Sequence, residues 1–179
     1  PKTGGITLWE YVNKYKLPFY KFMYHKHNPV SLCCPPDNFK YVTILRNPID
    51  RVYSHYTMYQ EINDVTSERG LVHFLRINQD ARNLYCQYFS GLINEHVDER
   101  IFTMALNNLK KFHSVINFND YNNDIKKFLS SFNVSLDKYL HVNNKSEDYQ
   151  NTYPLASDNE KEIIKKYNYW DIRLYEEFY

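Results

Sequence analysis

The stretch Tyr41-Val42-Thr43-Ile44-Leu45-Arg46-Asn47-Pro48 decides how this chain folds. Its first five residues are apolar or β-branched, with no polar alternation. That pattern predicts a short buried strand. The run stops at Arg46-Asn47, and Pro48 opens a helix predicted over 48–62, since its fixed φ and missing N–H suit a first helical turn. Working upstream, Leu8, Tyr11, Val12 and Tyr15 fall at helical spacing and predict a helix over 6–15. An aromatic run predicts a strand over 19–24, followed by breaks at 25–29 and 35–38. Downstream, a polar loop is predicted over 63–69, with helices over 70–77, 81–89, 98–112 and 120–132. Strands are predicted over 114–118 and 136–142, and a polar loop over 143–153. Ser157 with Glu160 three residues on is the pattern of a capping box and starts a helix to 167, and a last helix covers 170–178. Short apolar strands alternating with helices predict an α/β fold: a mostly parallel sheet flanked by helices, in one domain over 1–179.

Composition narrows the function classes. Hydrophobic residues are 43% and charged residues 24% of the 179, which excludes a disordered or collagen-like chain. The net charge is +1, too small an excess for a protein that coats nucleic acid. No apolar run nears the roughly 18 residues of a membrane span. Aromatic residues are 17%, with 18 Tyr and 11 Phe, so rings must build much of the core and buried hydroxyls will need partners. Cys33, Cys34 and Cys86 are too few for a disulfide scaffold. Adjacent Cys33 and Cys34 are not expected to bond each other, and Cys86 is able to pair with either; free thiols in a reducing compartment are the expectation. Asn133-Val134-Ser135 and Asn144-Lys145-Ser146 match the glycosylation triplet, as chance alone produces in an Asn-rich chain.

Two stretches carry anion-binding chemistry. Lys2-Thr3-Gly4-Gly5-Ile6-Thr7 opens the first helix. Its glycines let a ligand approach the backbone, and the first helical amides and the helix dipole point at one place. Lys2 adds a full charge and Thr7 a hydroxyl. A plain glycine turn before a helix explains the same residues, and the Walker A order of Gly-Lys-Ser/Thr is absent. The second stretch is Arg46 leaving the carboxyl end of the central strand, where α/β folds place ligands, with Ser54 eight positions on. An Arg fork and a hydroxyl suit one phosphate group. A capping Arg and a buried helix Ser account for them equally. Between the two lies Tyr24-His25-Lys26-His27. An imidazole with an ordinary pKa of about 6.5 suits deprotonation of an alcohol near neutrality.

Taken together, Pro1-Lys2-Thr3-Gly4-Gly5, His25-Lys26-His27 and Leu45-Arg46-Asn47-Pro48-(x2)-Arg51-(x2)-Ser54-(x)-Tyr56 resemble the sulfotransferases that use 3′-phosphoadenosine 5′-phosphosulfate (PAPS). The motifs are most similar to the Golgi-type carbohydrate enzymes, the uronosyl (heparan sulfate) 2-O-sulfotransferases above all. The resemblance implies a P-loop-like parallel sheet flanked by helices. It implies that Lys2, Thr3, Gly4, Gly5 and Thr7, with Ile6 in the same turn, hold the 5′-phosphosulfate. Arg46 and Ser54 then hold the 3′-phosphate, His27 is the catalytic base, and His25 binds the acceptor. Asn143-Asn144-Lys145-Ser146 resembles the loop that closes over the nucleotide, which adds Lys145 and Ser146 as cofactor contacts. The segment 170–178 resembles the family's closing helix and is read as packing.

Three features depart from that pattern. Ile6 stands where the family usually has Ser or Thr. Tyr85-Cys86-Gln87 stands where it has Gln-Thr-Arg. The family's first strand would precede Pro1, so trimming before Pro1 is expected. The expected reaction moves a sulfuryl group from PAPS to a hydroxyl, on a carbohydrate by resemblance, with Lys2 stabilising charge on the departing side and no metal required. A non-catalytic nucleotide- or glycan-binding module and, less well matched, a P-loop small-molecule kinase are the alternatives. The low disulfide potential points to the cytoplasm, and the Golgi lumen is the alternative if an N-terminal anchor has been trimmed.

Overall fold

The computed structural model describes residues 5–17, 41–63, 68–135 and 155–179. The strands expected over 19–24 and 136–142, the loop over 143–153, and Cys33 and Cys34 lie outside them. In chain order the elements are α1 (Gly5–Lys14), β1 (Val42–Leu45), α2 (Pro48–Asn63) and α3 (Glu68–Ile77). A 3₁₀ turn (Gln79–Ala81), α4 (Leu84–Ser90), α5 (Glu99–Leu109) and β2 (Ser114–Asn117) follow. The chain ends with α6 (Tyr121–Ser130), α7 (Asp158–Tyr167) and α8 (Tyr169–Glu176). Among the described residues no helix is long and apolar enough to cross a membrane.

β1 and β2 pair in parallel, from Val42 opposite Ser114 to Leu45 opposite Asn117. Parallel neighbours need a crossover, and α2 to α5 supply it. The Phe118 amide donates to the Leu45 carbonyl at 2.7 Å and carries the ladder one residue further. Side chains alternate across a strand. Val42, Ile44 and Ile116 pack with Leu8, Tyr11 and Val12 of α1 and Ile125, Phe128 and Leu129 of α6. Leu45 and Val115 pack on the other side with Phe89 of α4, Ile101, Phe102 and Leu109 of α5, and Leu174 of α8. The architecture is therefore mixed α/β, mostly helical, around a small two-stranded parallel sheet covered on both faces. That double cover is why β1 reads as a short run of apolar and β-branched residues. A third cluster joins Val52 and Tyr56 of α2 to Leu71, Phe74 and Leu75 of α3 and Ile164 of α7. The Phe74 ring lies 5.0–5.5 Å from those of His55, Tyr56 and Tyr59, edge-on to the first and tilted to the others, so aromatic rings fill much of this cluster.

Several boundaries differ from the sequence reading. α3 begins at Glu68, inside the expected loop. α5 stops at Leu109, and the three residues after it form a turn. α6 stops at Ser130, where Asn133 takes a left-handed φ of 58°. The amides of Asn133 and Val134 donate back to the carbonyls of Ser130 and Leu129. This is a helix-ending turn that tolerates Asn, and it explains Asn133 without glycosylation. The capping box at Ser157 is present in both directions.

The largest correction concerns the helix expected over 81–89. It is broken by the 3₁₀ turn and by Asn83, which is left-handed at φ 43°. The reason is an exchange of caps between α4 and α8. The Asn83 side-chain oxygen accepts from the amides of Trp170 (3.1 Å) and Asp171 (3.2 Å) in the first turn of α8. In return, the Asp171 carboxylate accepts from the amides of Tyr85 and Cys86, both at 2.9 Å, in the first turn of α4. Each helix start has unpaired amides and a positive dipole end, and here each receives its acceptor from the other helix. Arg51 of α2 completes the network. Its guanidinium lies 3.5 Å from Asp171 and donates to the Asp80 carbonyl and to the Asn168 side chain. Arg51 and Asp171 are only 2% and 0% exposed, so the pair is cut off from water. Asn168 uses every polar atom of its amide: its oxygen accepts from Arg51 and Asn83, and its nitrogen donates to the carbonyls of Ala81 and Ile164.

Removing one member of a buried, hydrogen-bonded charge pair leaves the other charge uncompensated and costs about 3–5 kcal/mol. Asp171→Ala is therefore expected to lower stability in urea denaturation by about that amount. Lys165→Ala, which removes an exposed pair with Glu162 on α7, should leave it nearly unchanged.

Candidate functional site

At the carboxyl edge of the sheet β1 gives way to α2, and the residues between them are Arg46 and Asn47. Asn47 ends the β1 exit and caps α2. Its carbonyl accepts from the Arg51 amide, and its side chain accepts from the Ile49 amide at 2.9 Å. With Pro48 in the first helical position, this fixes the angle between strand and helix. Arg46 lies between the last residue of β1 and this cap, and is half-buried. Its backbone is gripped twice by one side chain: the Arg46 amide donates to the Tyr85 hydroxyl (3.1 Å), which donates to the Arg46 carbonyl (3.0 Å). The Arg46 guanidinium carbon stands 5.0 Å from the centre of the Phe118 ring. Ser54 is half-buried on α2, seven residues beyond the cap, hence on the same helical face as Asn47 and about 10 Å along the axis.

Around Arg46 the edge is polar. The Asn117 side chain accepts from the Asn119 amide (2.9 Å) and from the Tyr175 hydroxyl (3.2 Å). The Asn117 amide donates to Asp124 at 2.8 Å. Burial pushes the Tyr175 phenol up from its ordinary range, and the Asp50 carboxylate adds to this. Tyr85 is pushed up to about 12 by burial, against the pull of Arg51 and of the hydrogen bond it accepts from the Arg46 amide. Burial also pushes the Asp171 carboxyl up, while Arg51 and the amides of Cys86 and Tyr85 pull it down. Cys86 is a buried free thiol pushed up by burial and by the adjoining Asp171 carboxylate, which makes it a poor nucleophile.

The expected site residues divide as follows. Arg46 follows β1 and Ser54 lies on α2, the next element in the chain. Gly5, Ile6 and Thr7 form the first turn of α1, which packs by its later turns on the sheet. Lys2, Thr3, Gly4, His25, His27, Lys145 and Ser146 lie outside the described residues. Among the described residues no group of three or more His, Cys, Asp or Glu is placed to hold a metal ion. Sequence reasoning missed Tyr85 and Phe118. Phe118 follows the strand paired with β1, so the register that puts Leu45 beside Asn117 also puts Arg46 beside Phe118; only the pairing reveals it. The Tyr85-Cys86-Gln87 segment is internal: besides the Tyr85 and Cys86 contacts, Gln87 bridges the Arg82 carbonyl and the Asn94 amide. Comparisons with family models, with curated proteins and with solved structures give no match to this chain.

The Tyr85 phenol makes stability depend on alkaline pH. In the unfolded chain it ionises near 10, and in the folded chain at about 12. Its contribution, about 3 kcal/mol, is complete below pH 10 and is lost as pH rises through 12. The fall in unfolding free energy between pH 9 and 12 should thus be smaller in Tyr85→Phe than in the parent protein; identical slopes would contradict the assignment.

Proposed function

We propose that this chain is a PAPS-dependent sulfotransferase with a P-loop-like sheet, acting on a hydroxyl, with carbohydrate as the acceptor class implied by resemblance. The observation that carries the reading is the position of Arg46. It leaves the carboxyl end of a buried parallel strand directly before a capped helix bearing Ser54, in a chain that opens with Lys2-Thr3-Gly4-Gly5. Arg46 and Ser54 fit a phosphate group: the one offers a planar donor fork, the other a hydroxyl, on a shared rigid unit. The donor supplies an activated sulfuryl group. Lys2, Thr3 and the amides at the start of α1 orient its anionic end and carry the charge that builds there. His27 accepts the proton of the acceptor hydroxyl as the oxygen attacks, and His25 orients the acceptor. Positioning and charge stabilisation carry most of such a transfer, as in phosphoryl chemistry. Ile6, in place of a hydroxyl residue, favours the second reading, a nucleotide-binding module without turnover.

Calorimetric titration separates the possibilities. A sulfotransferase binds 3′-phosphoadenosine 5′-phosphate far better than ADP or ATP, and sulfates acceptors when given PAPS. Nucleotide binding without sulfated product would select the second reading, and preference for ATP with Mg²⁺ would contradict both. Arg46→Ala should weaken the nucleotide by roughly 10- to 100-fold, the value of a charge-assisted hydrogen bond. His27→Ala should lower turnover by about 10²–10⁴-fold at little cost in nucleotide affinity.

A further inference from the structure

We propose that Tyr85 and Phe118 are positioning residues for Arg46, holding its guanidinium as the anion-binding arm at the carboxyl edge of the sheet. The identity of the anion, the 3′-phosphate of the nucleotide, rests on the sulfotransferase reading. The positioning rests on contacts. A residue just past a strand end has left the ladder, and its N–H and C=O ordinarily turn to water. At Arg46 both are taken by one hydroxyl, at 3.1 and 3.0 Å. That hydroxyl cannot drift. The Tyr85 ring is 6% exposed, its amide is bonded to Asp171, and the Arg51 guanidinium lies 5.1 Å from its centre. The direction in which the Arg46 side chain leaves the backbone is therefore set by α4, which the cap exchange in turn locks to α8.

Phe118 sets the far end of the same side chain. The guanidinium carbon lies over its ring, 5.0 Å from the centre. A phosphate is gripped through the N–H groups of the fork, so the ring contact and phosphate binding are compatible. Arg is rich in rotamers, and ordering it before the ligand arrives removes a cost from binding. The segment that in the resembled family reads Gln-Thr-Arg is thereby assigned, in this chain, to the phosphate side of the site through Tyr85.

The test compares 3′-phosphoadenosine 5′-phosphate with adenosine 5′-phosphate, which lacks the 3′-phosphate, on the parent chain, Tyr85→Phe, Phe118→Leu, Phe118→Tyr and Arg46→Ala. Tyr85→Phe and Phe118→Leu should each weaken the first ligand by about tenfold and the second by less than about twofold. Phe118→Tyr should restore the affinity, and neither loss should persist in the Arg46→Ala background. In the ligand-free protein, the ¹⁵N relaxation of the Arg46 Nε–Hε group should report an ordered side chain that becomes mobile in Tyr85→Phe and Phe118→Leu. Equal weakening of both ligands, as simple destabilisation gives, or unchanged Arg46 order in both variants would overturn the proposal. A parent chain that does not prefer the 3′-phosphorylated nucleotide would instead overturn the sulfotransferase reading, and the ligand-free measurement would still decide the positioning.

Discussion

The Asp171 carboxylate, set against the first amides of α4 and the Arg51 guanidinium, is the interaction on which the rest of the arrangement depends. A charge removed from water is tolerated only when its lone pairs are nearly all used. Here two amides and a guanidinium use them, and the negative group sits at the positive end of a helix. Because Asn83 returns the cap to α8, neither helix can shift without uncovering amides in the other. Arg51 ties both to α2, and Asn168 ties them to the 3₁₀ turn and the end of α7.

This rigidity reaches the sheet through one side chain. α4 carries Tyr85, Tyr85 grips the backbone of Arg46, and Arg46 is the first residue past β1. The parallel register then brings Phe118 beneath the guanidinium. Carboxyl edges of parallel strands collect ligands because the strands end there while helices begin. In this chain the start of α2 is already occupied by the Asn47 side chain at the Ile49 amide. Arg46 and Ser54 are the groups on this strand–helix unit to which the proposed function gives the 3′-phosphate.

The sequence was legible where local chemistry dominates. The β-branched run before Arg46-Asn47-Pro48 gave the strand and the helix after it, and Ser157 with Glu160 gave a cap that both partners make. It was least legible where partners are remote. Asn83 and Asp171 are 88 residues apart, and nothing near Asn83 signals that it caps a distant helix; helical periodicity therefore ran straight through it. Asp171, inside a segment read as packing, is fully buried beside Arg51. Arg51 stands within the Arg46 to Ser54 motif, yet its partners come from α8 and the turns before α4, so spacing assigned it no role. Of the candidate site, Arg46 and Ser54 could be read from their place after a strand, while Phe118 and Tyr85 depended on pairing and packing.

The claim at the centre of this account is that Arg46, held from both ends, binds the 3′-phosphate of an adenine nucleotide. An experimental structure with 3′-phosphoadenosine 5′-phosphate bound tests it most directly. The account predicts the 3′-phosphate within hydrogen-bond distance of the Arg46 guanidinium and the Ser54 hydroxyl, with the Arg46 guanidinium still over the Phe118 ring. A nucleotide seated elsewhere, or an Arg46 side chain turned away from it, would contradict the account.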